Sequence, residues 1–345
     1  MPLYKIHGGT DSLGAITDDF STNANSAGPC PIALEALINT SRTAYPDPNY
    51  TALKELLAQW HQVSVERIVL AASASEFIYR MSALIAKQVS NQVLGRPMVY
   101  LPRFSYGDYQ TAAKAWNLVT SAAIEDANLI WACDPSTPFG ENSHSLGALI
   151  DSLQARQICV LDRAYDPLRL SGRSLLNQTQ LDKVWQLWSP NKALGLTGIR
   201  AAYAIAPKAA LALTTELELL ASSWPIGVDG VSMLSSWTKY ATQMWLQESL
   251  NRLREWKGQQ LQRCQEIGWE IHTSETNFYC AKPPVNDLGV LLHQLRQSGI
   301  KLRDTLSFSL PGYVRMRVLP PASQIRLCHA WQSIESPAEE KLYVR

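Results

Sequence analysis

The chain has 345 residues, 46% hydrophobic and 18% charged, with 31 Lys and Arg against 30 Asp and Glu. That is enough apolar material for a full core without disulfide or metal support, and a formal net charge of +1 excludes the basic excess of a generic nucleic-acid or anionic-membrane surface. The six cysteines and six histidines are dispersed, no apolar run approaches the roughly 20 residues of a membrane span, and the opening MPLYKIHGGTDSLG has no signal-peptide core, so the expectation is a cytoplasmic enzyme working on a small molecule.

In chain order, the stretch through Pro31 is rich in Gly, Ser, Asn and Pro and reads as extended chain and turns. A short helix is predicted over about residues 32–39, and YPDPNY ends it because proline and Asp-Pro favour turns. Leu53, Leu56, Leu57 and Trp60 recur at amphipathic spacing, which predicts a helix over 51–61. A rhythm follows. RIVLAAS leads into ASEFIYRMSALIA and MVYLPRFS into DYQTAAKAWN, and then come LIWACDPS, ICVLDRAY and VWQLWSPNK. Apolar runs alternating with helices predict an α/β fold with a mainly parallel sheet between helices. Residues 209–269 read as amphipathic helix. A smaller α+β pattern closes the chain, with EIHTSETNFYCA, a helix around 288–298, GIKLRD and YVRMRVLP. The expected division is a large domain of residues 36–230 and a discontinuous small domain of residues 1–35 and 231–345.

Ligands of such sheets sit beyond the carboxyl ends of the strands. Ser73, Ser75, Tyr106, Asp134, Thr137, Asp162, Tyr165, Ser189 and Lys192 fall at those ends. A lone loop lysine is ordinarily a solvated surface residue. Lys192, however, follows the apolar VWQLW run and precedes Gly195 and Gly198, which would let backbone approach a ligand closely. A lysine amine in a partly desolvated site can form a Schiff base with an aldehyde cofactor, and the guanidinium fork of Arg200 suits a phosphate. Asp162 ends a buried strand, where a bare carboxylate is costly. Its ordinary use would be a helix N-cap; a protonated pyridine nitrogen would serve equally and would keep that ring an electron sink. Tyr165 could donate to a ring oxygen.

DRAY followed by SPNKALGLTGIR resembles the pyridoxal-phosphate signature of the class I/II aminotransferases, of fold type I. HGGTD, DFSTNAN, AYPDPNYTALKELLA, SASEFI, GIKLRD and YVRMRV fall in the family's order across most of the chain. The opening HGG, DFSTNAN and YPDP look most like the threonine-phosphate decarboxylase branch of cobalamin synthesis, while the histidinol-phosphate aminotransferase branch shares the middle and end. The resemblance implies pyridoxal 5'-phosphate (PLP) as cofactor and a homodimer. It implies that Lys192 carries the cofactor and shuttles the proton, that Asp162 pairs with the pyridine nitrogen, and that Tyr165 meets the ring hydroxyl. Ser189 and Arg200 would hold the cofactor phosphate with Ala74 and Ser75, at a helix N-terminus suited to anions. Tyr106 is the expected ring-stacking aromatic, with Phe104 its competitor, and Tyr45 is expected to reach the neighbouring subunit's phosphate. Arg315 would grip the substrate carboxylate. Arg303, Asn25 and His7 are expected around the rest of the substrate, with Arg317 and Arg169 as further cations for a phosphorylated side chain.

The chain also departs from the family pattern. DPSTPFG puts Asp134 and Thr137 where asparagines are expected, leaving Thr137 to offer a shorter hydroxyl to the cofactor. Arg163 follows Asp162 where an acid is common, Asn191 stands before Lys192 in place of serine, and AASASE replaces a glycine-rich motif. Whether such a site transaminates or decarboxylates depends on which bond of Cα stands perpendicular to the cofactor ring. The expectation is a threonine-phosphate decarboxylase, with a histidinol-phosphate type aminotransferase as the alternative and a non-catalytic relative as a third possibility.

Overall fold

The computed structural model describes residues 7–90 and 96–335; the opening MPLYKI lies outside them. Strand β1 (Asp18–Asp19) precedes helices α1 (Pro31–Ile38) and α2 (Thr51–His61). Then come β2 (Ile68–Ala71), α3 (Ala74–Ser90), β3 (Met98–Tyr100), α4 (Gly107–Ala115), β4 (Val119–Ser121), β5 (Leu129–Cys133), α5 (Leu146–Asp151), β6 (Ile158–Asp162), α6 (Gln178–Leu181), β7 (Trp185–Trp188) and β8 (Ala202–Ile205). These strands from β2 onward form one seven-stranded sheet in the order β2-β8-β7-β6-β5-β3-β4. Only β8 runs antiparallel to its neighbours. Strands β2, β7 and β8 are buried at every position, which is why they read as unbroken apolar runs. Two apolar clusters back the sheet. One gathers Leu57, Tyr203, Met233 and Leu253, the other Phe77, Met81, Tyr109 and Trp131.

Helices α7 (Leu211–Leu219), α8 (Val228–Trp237) and the long α9 (Tyr240–Glu266) lead to β9 (Glu270–His272), β10 (Phe278–Lys282), α10 (Leu288–Gln297), β11 (Ile300–Lys301), β12 (Arg303–Asp304), β13 (Val314–Arg317) and α11 (Pro321–Glu335). The small antiparallel sheet has the order β12-β13-β10-β9. EIHTSETNFYCA is thus two strands, broken where Ser274 accepts the Thr276 N–H through its hydroxyl at 3.1 Å and turns the chain. The N-terminal segment joins this part of the molecule through the parallel pair β1 and β11. Along β13, Val314 and Met316 enter a core with Phe20, Tyr279 and Trp331, so the alternate positions Arg315 and Arg317 fall on the opposite face.

Candidate active site

Strands β2, β3, β5, β6 and β7 end on one side of the sheet, and a cavity of about 1000 Å³ opens there. Asp162, the last residue of β6, lies in register between Cys133 and Leu187. Its carboxylate accepts the Tyr109 hydroxyl at 2.7 Å and the Ala164 N–H at 2.9 Å. Tyr109 is locked by stacking on Trp131, with ring centres 4.7 Å apart. Burial pushes the Asp162 carboxyl above the usual range, against the opposing pull of Tyr109 and Lys192. A carboxylate in that state gains from a cation in the cavity.

Lys192 projects from the turn after β7, with Nζ 3.5 Å from Ser189 Oγ and 5.4 Å from the Tyr165 ring centre. Asn25 holds that turn. Its N–H donates to the Lys192 carbonyl at 2.9 Å, and its amide donates to Ala193 O at 3.1 Å and Ser249 Oγ at 2.7 Å. Asn25 lines the cavity, as expected of a residue near the substrate, while its amide hydrogens support the turn of the lysine. Asn191 closes the same turn, donating to Ile199 O at 3.3 Å. Gly195 has φ +68°, and a Cβ there would sit 3.1 Å from Pro29 Cα and 3.2 Å from Asn25 O. Gly195 and Gly198 both line the cavity; Gly195 also packs closely on the Pro29 and Asn25 segment, whereas a Cβ on Gly198 would meet nothing within 4 Å.

At the other end of the cavity, Ala74 and Ser75 open α3. Ser73 Oγ already accepts the Glu76 N–H at 3.0 Å, so the N–H groups of Ala74 and Ser75 are the ones left without helical acceptors. Arg200 lines the rim, exposed and without a hydrogen-bond or ion-pair partner among the described residues, and buried Ser189 lines the same cavity. Tyr106 lines it too, its hydroxyl 3.2 Å from Ser75 Oγ. Phe104 does not; it packs edge-on against Phe139 at 5.3 Å, so Tyr106 is the aromatic that faces the site.

A second cavity of about 400 Å³ shares Tyr106, Tyr165 and Lys192 with the first and continues to Arg303, Ser307 and Arg315. Arg315 is buried between Phe278 and Phe308, donates to Thr137 Oγ1 at 3.1 Å and to Ser21 O at 3.4 Å, and keeps a buried Nε without a partner. Arg303 donates to Asp304 O at 2.9 Å and Ser307 Oγ at 2.7 Å; burial and the Arg315 charge bring its pKa down to about 10. Arg317 lines the first cavity while bracing β1 through the Asp19 carbonyl at 2.6 Å. His7 lines both cavities, 6.0 Å from the Tyr106 ring.

Two expected residues lie elsewhere. Arg169 lines neither cavity and is held by Asp134, Asp166 and Glu275, so it is no spare cation for a substrate. Tyr45 is 77% exposed and stacks on Trp224, outside both cavities of its own chain. Arg163, the unusual neighbour of Asp162, lies over the Trp188 ring at 4.3 Å and bonds Gln186 at 2.8 Å. The structure adds Tyr109 and Asp108, which sequence reading missed. The signal for Tyr109 was its place in the first turn of the helix that follows Tyr106 and the apolar run MVYL. No group of three or more His, Cys, Asp or Glu suited to a metal occurs among the described residues, and no described helix is long and apolar enough to cross a membrane.

Residues 17–330 match the family Aminotransferase class I and II. The chain belongs to that family. It is similar to a histidinol-phosphate aminotransferase of Haloquadratum walsbyi, 24% identical over 313 residues that cover 86% of this chain and 80% of that protein. Histidinol-phosphate aminotransferase 2 of Archaeoglobus fulgidus is 25% identical over 92% of both chains. Among solved structures, the histidinol-phosphate aminotransferase of Sinorhizobium meliloti in complex with pyridoxal-5'-phosphate has a TM-score of 0.79 at 19% identity, covering 94% of this chain and 92% of that one. The L-threonine-O-3-phosphate decarboxylase of Porphyromonas gingivalis has a TM-score of 0.73 at 18% identity, covering 92% and 99%. The family member is thus a PLP-dependent enzyme of fold type I. Its site fits that cofactor: a buried carboxylate in no ion pair among the described residues, an unpaired guanidinium, free helix N–H groups and an aromatic ring face one cavity around a lysine.

Proposed function

We propose that this chain is an aminotransferase of the histidinol-phosphate type, moving an amino group between a small phosphorylated amine and a 2-oxo acid. The observation that carries the reading is the continuity of the Lys192 cavity with the cavity of Arg303 and Arg315, which puts the lysine that would hold the PLP aldehyde beside an anion site. The expected threonine-phosphate decarboxylase gives way to it, because the curated relatives above are aminotransferases and the decarboxylase enters as a likeness of fold. Decarboxylation is the second reading, supported by His7 and Gly8 on the walls of both cavities.

Bound PLP would supply an aldehyde that takes up the substrate amine and a pyridine ring that draws electrons from the amine-bearing carbon. The protein does the rest. Asp162, fixed by Tyr109 and Ala164, holds the proton on the pyridine nitrogen. Arg200, Ser189 and the N–H groups of Ala74 and Ser75 hold the phosphate. Tyr106 covers one side of the cofactor and excludes water, while Tyr165 and Thr137 serve its ring hydroxyl. Arg315 and Arg303 hold the anionic end of the substrate and thereby set which bond of the amine carbon faces Lys192. Lys192 Nζ, on the wall of both cavities, would serve as the base that moves the proton of that carbon.

The test is spectroscopic and chemical. Protein loaded with PLP shows a visible absorption band that disappears in Lys192→Ala, whose turnover falls at least about 100-fold. L-histidinol phosphate shifts the band to that of the amine form of the cofactor, and 2-oxoglutarate restores it. Carbon dioxide release from phosphothreonine without that shift would overturn the proposal in favour of the second reading.

A further inference from the structure

Position 134, where the family pattern predicts asparagine, carries a carboxylate only 4% exposed. A buried carboxylate needs a cation, and Arg169 supplies it, Nη2 to Oδ2 at 2.7 Å. The same guanidinium binds Asp166 at 2.7 Å, Asn142 at 2.8 Å and Glu275 at 2.9 Å. Three of these acceptors belong to loops at the carboxyl ends of β5 and β6. Glu275 belongs to the loop that enters β10 of the small sheet. Backbone contacts close the same joint, Glu275 N–H to Gly140 O at 2.8 Å and Asn277 N–H to Leu168 O at 3.2 Å.

Two of the supports of Arg315 lead back to this joint, while its bond to Ser21 O comes from the N-terminal segment. The loop from Asp134 to Asn142 carries Thr137, whose Oγ1 receives Arg315 at 3.1 Å. Strand β10 carries Cys280, the register partner of Arg315 in β13. Lys257 of α9 clamps the joining loop from behind, its Nζ donating to the Ser274 carbonyl and to Thr276 O at 2.9 Å.

We infer that Arg169 is a positioning residue for Arg315: through Asp134 and Glu275 it fixes the separation between the Lys192 wall and the arginine that takes the substrate's anionic end. It touches neither substrate nor cofactor. An asparagine at 134 would need no cation; the Asp134–Arg169 pair replaces that neutral contact with a charged one that also reaches the small sheet. The inference rests on the reading of Arg315 as the substrate-binding arginine.

Two variants test it in PLP-loaded protein, Arg169→Met and the milder Glu275→Gln, which removes only the charge of the arm to the small sheet. Amide exchange in residues 134–143 and 273–277 rises about tenfold in Arg169→Met while that of β6 stays at the wild-type rate. The L-glutamate or L-histidinol phosphate concentration that half-converts the visible band rises about tenfold in Arg169→Met and about threefold in Glu275→Gln. A lower melting temperature with loop exchange and half-conversion at wild-type values would make the node merely structural and overturn the inference. Should Arg169→Met fail to fold, Glu275→Gln decides by the same two readings. If the wild-type band answers neither amine, the proposed function fails, and loop exchange alone decides the inference.

Discussion

Half-buried His61 and buried Asp162 are titratable groups put to opposite uses. Asp162 faces a cavity that can bring it a cation, whereas His61 ends α2 partly buried against the sheet, sharing a 2.7 Å hydrogen bond with the Tyr203 hydroxyl and lying 5.0 Å from the Trp188 ring. Burial, and then the nearby Arg163 charge, bring its pKa from 6.5 down to about 3. The folded chain therefore binds fewer protons than the unfolded chain between those values. Stability from this residue is complete above pH 6.5 and is lost as pH falls toward 3, with a limiting slope of about 1.4 kcal/mol per pH unit. His61→Gln keeps a hydrogen-bonding group without the proton, so its stability falls less steeply than wild type between about pH 6.5 and 5 in denaturant titrations. Parallel slopes would sink the assignment. At this scale the sequence made Lys192, Asp162 and Tyr165 legible because their spacing is a motif. The working of Arg169 was illegible: its four partners are spread from position 134 to 275, and only the folded chain brings them to one guanidinium.

The turn after β7 shows how an element is made by what packs on it. Its left-handed Gly195 faces fixed backbone of Pro29 and Asn25, so Gly195→Ala brings both backbone strain and a clash, about 1–3 kcal/mol together. Because Asn25 also bonds the Lys192 carbonyl, PLP affinity falls with it. Gly198→Ala meets open space and leaves stability at the wild-type value. Equal unfolding midpoints for the two variants would refute this division of roles. Buried strands such as β2, β7 and β8 were legible as apolar runs, and α2 from its periodicity. Strand β4 was not, since it has three residues, two of them exposed, and its partner is chosen by tertiary contact. Nor does an apolar run carry a direction, so the reversal of β8 could be read only from the assembled sheet.

At the scale of the molecule, several large apolar side chains that line neither cavity are exposed. Ile38 is 69% exposed, Tyr240 78% and Tyr45 77%, with Tyr45 stacked on the partly exposed Trp224. The stacked pair Tyr45 and Trp224 gives one contiguous apolar surface in water, suited to association. We propose a homodimer in which Tyr45 reaches the cofactor phosphate of the neighbouring copy. Light scattering at micromolar concentration then gives twice the chain mass, and Tyr45→Ala weakens PLP binding about tenfold, the loss of one hydrogen bond to a charged group. A monomer with unimpaired PLP affinity would refute it.

The pairing of β1 with β11 has a consequence for synthesis. Residues 18–19 find their strand partner at 300–301, and the same N-terminal segment, through Asn25, holds the turn of Lys192. The part of the chain that leaves the ribosome early thus has no strand to join until nearly all the rest has followed. During translation the lysine turn waits for a brace that is itself secured only at the end.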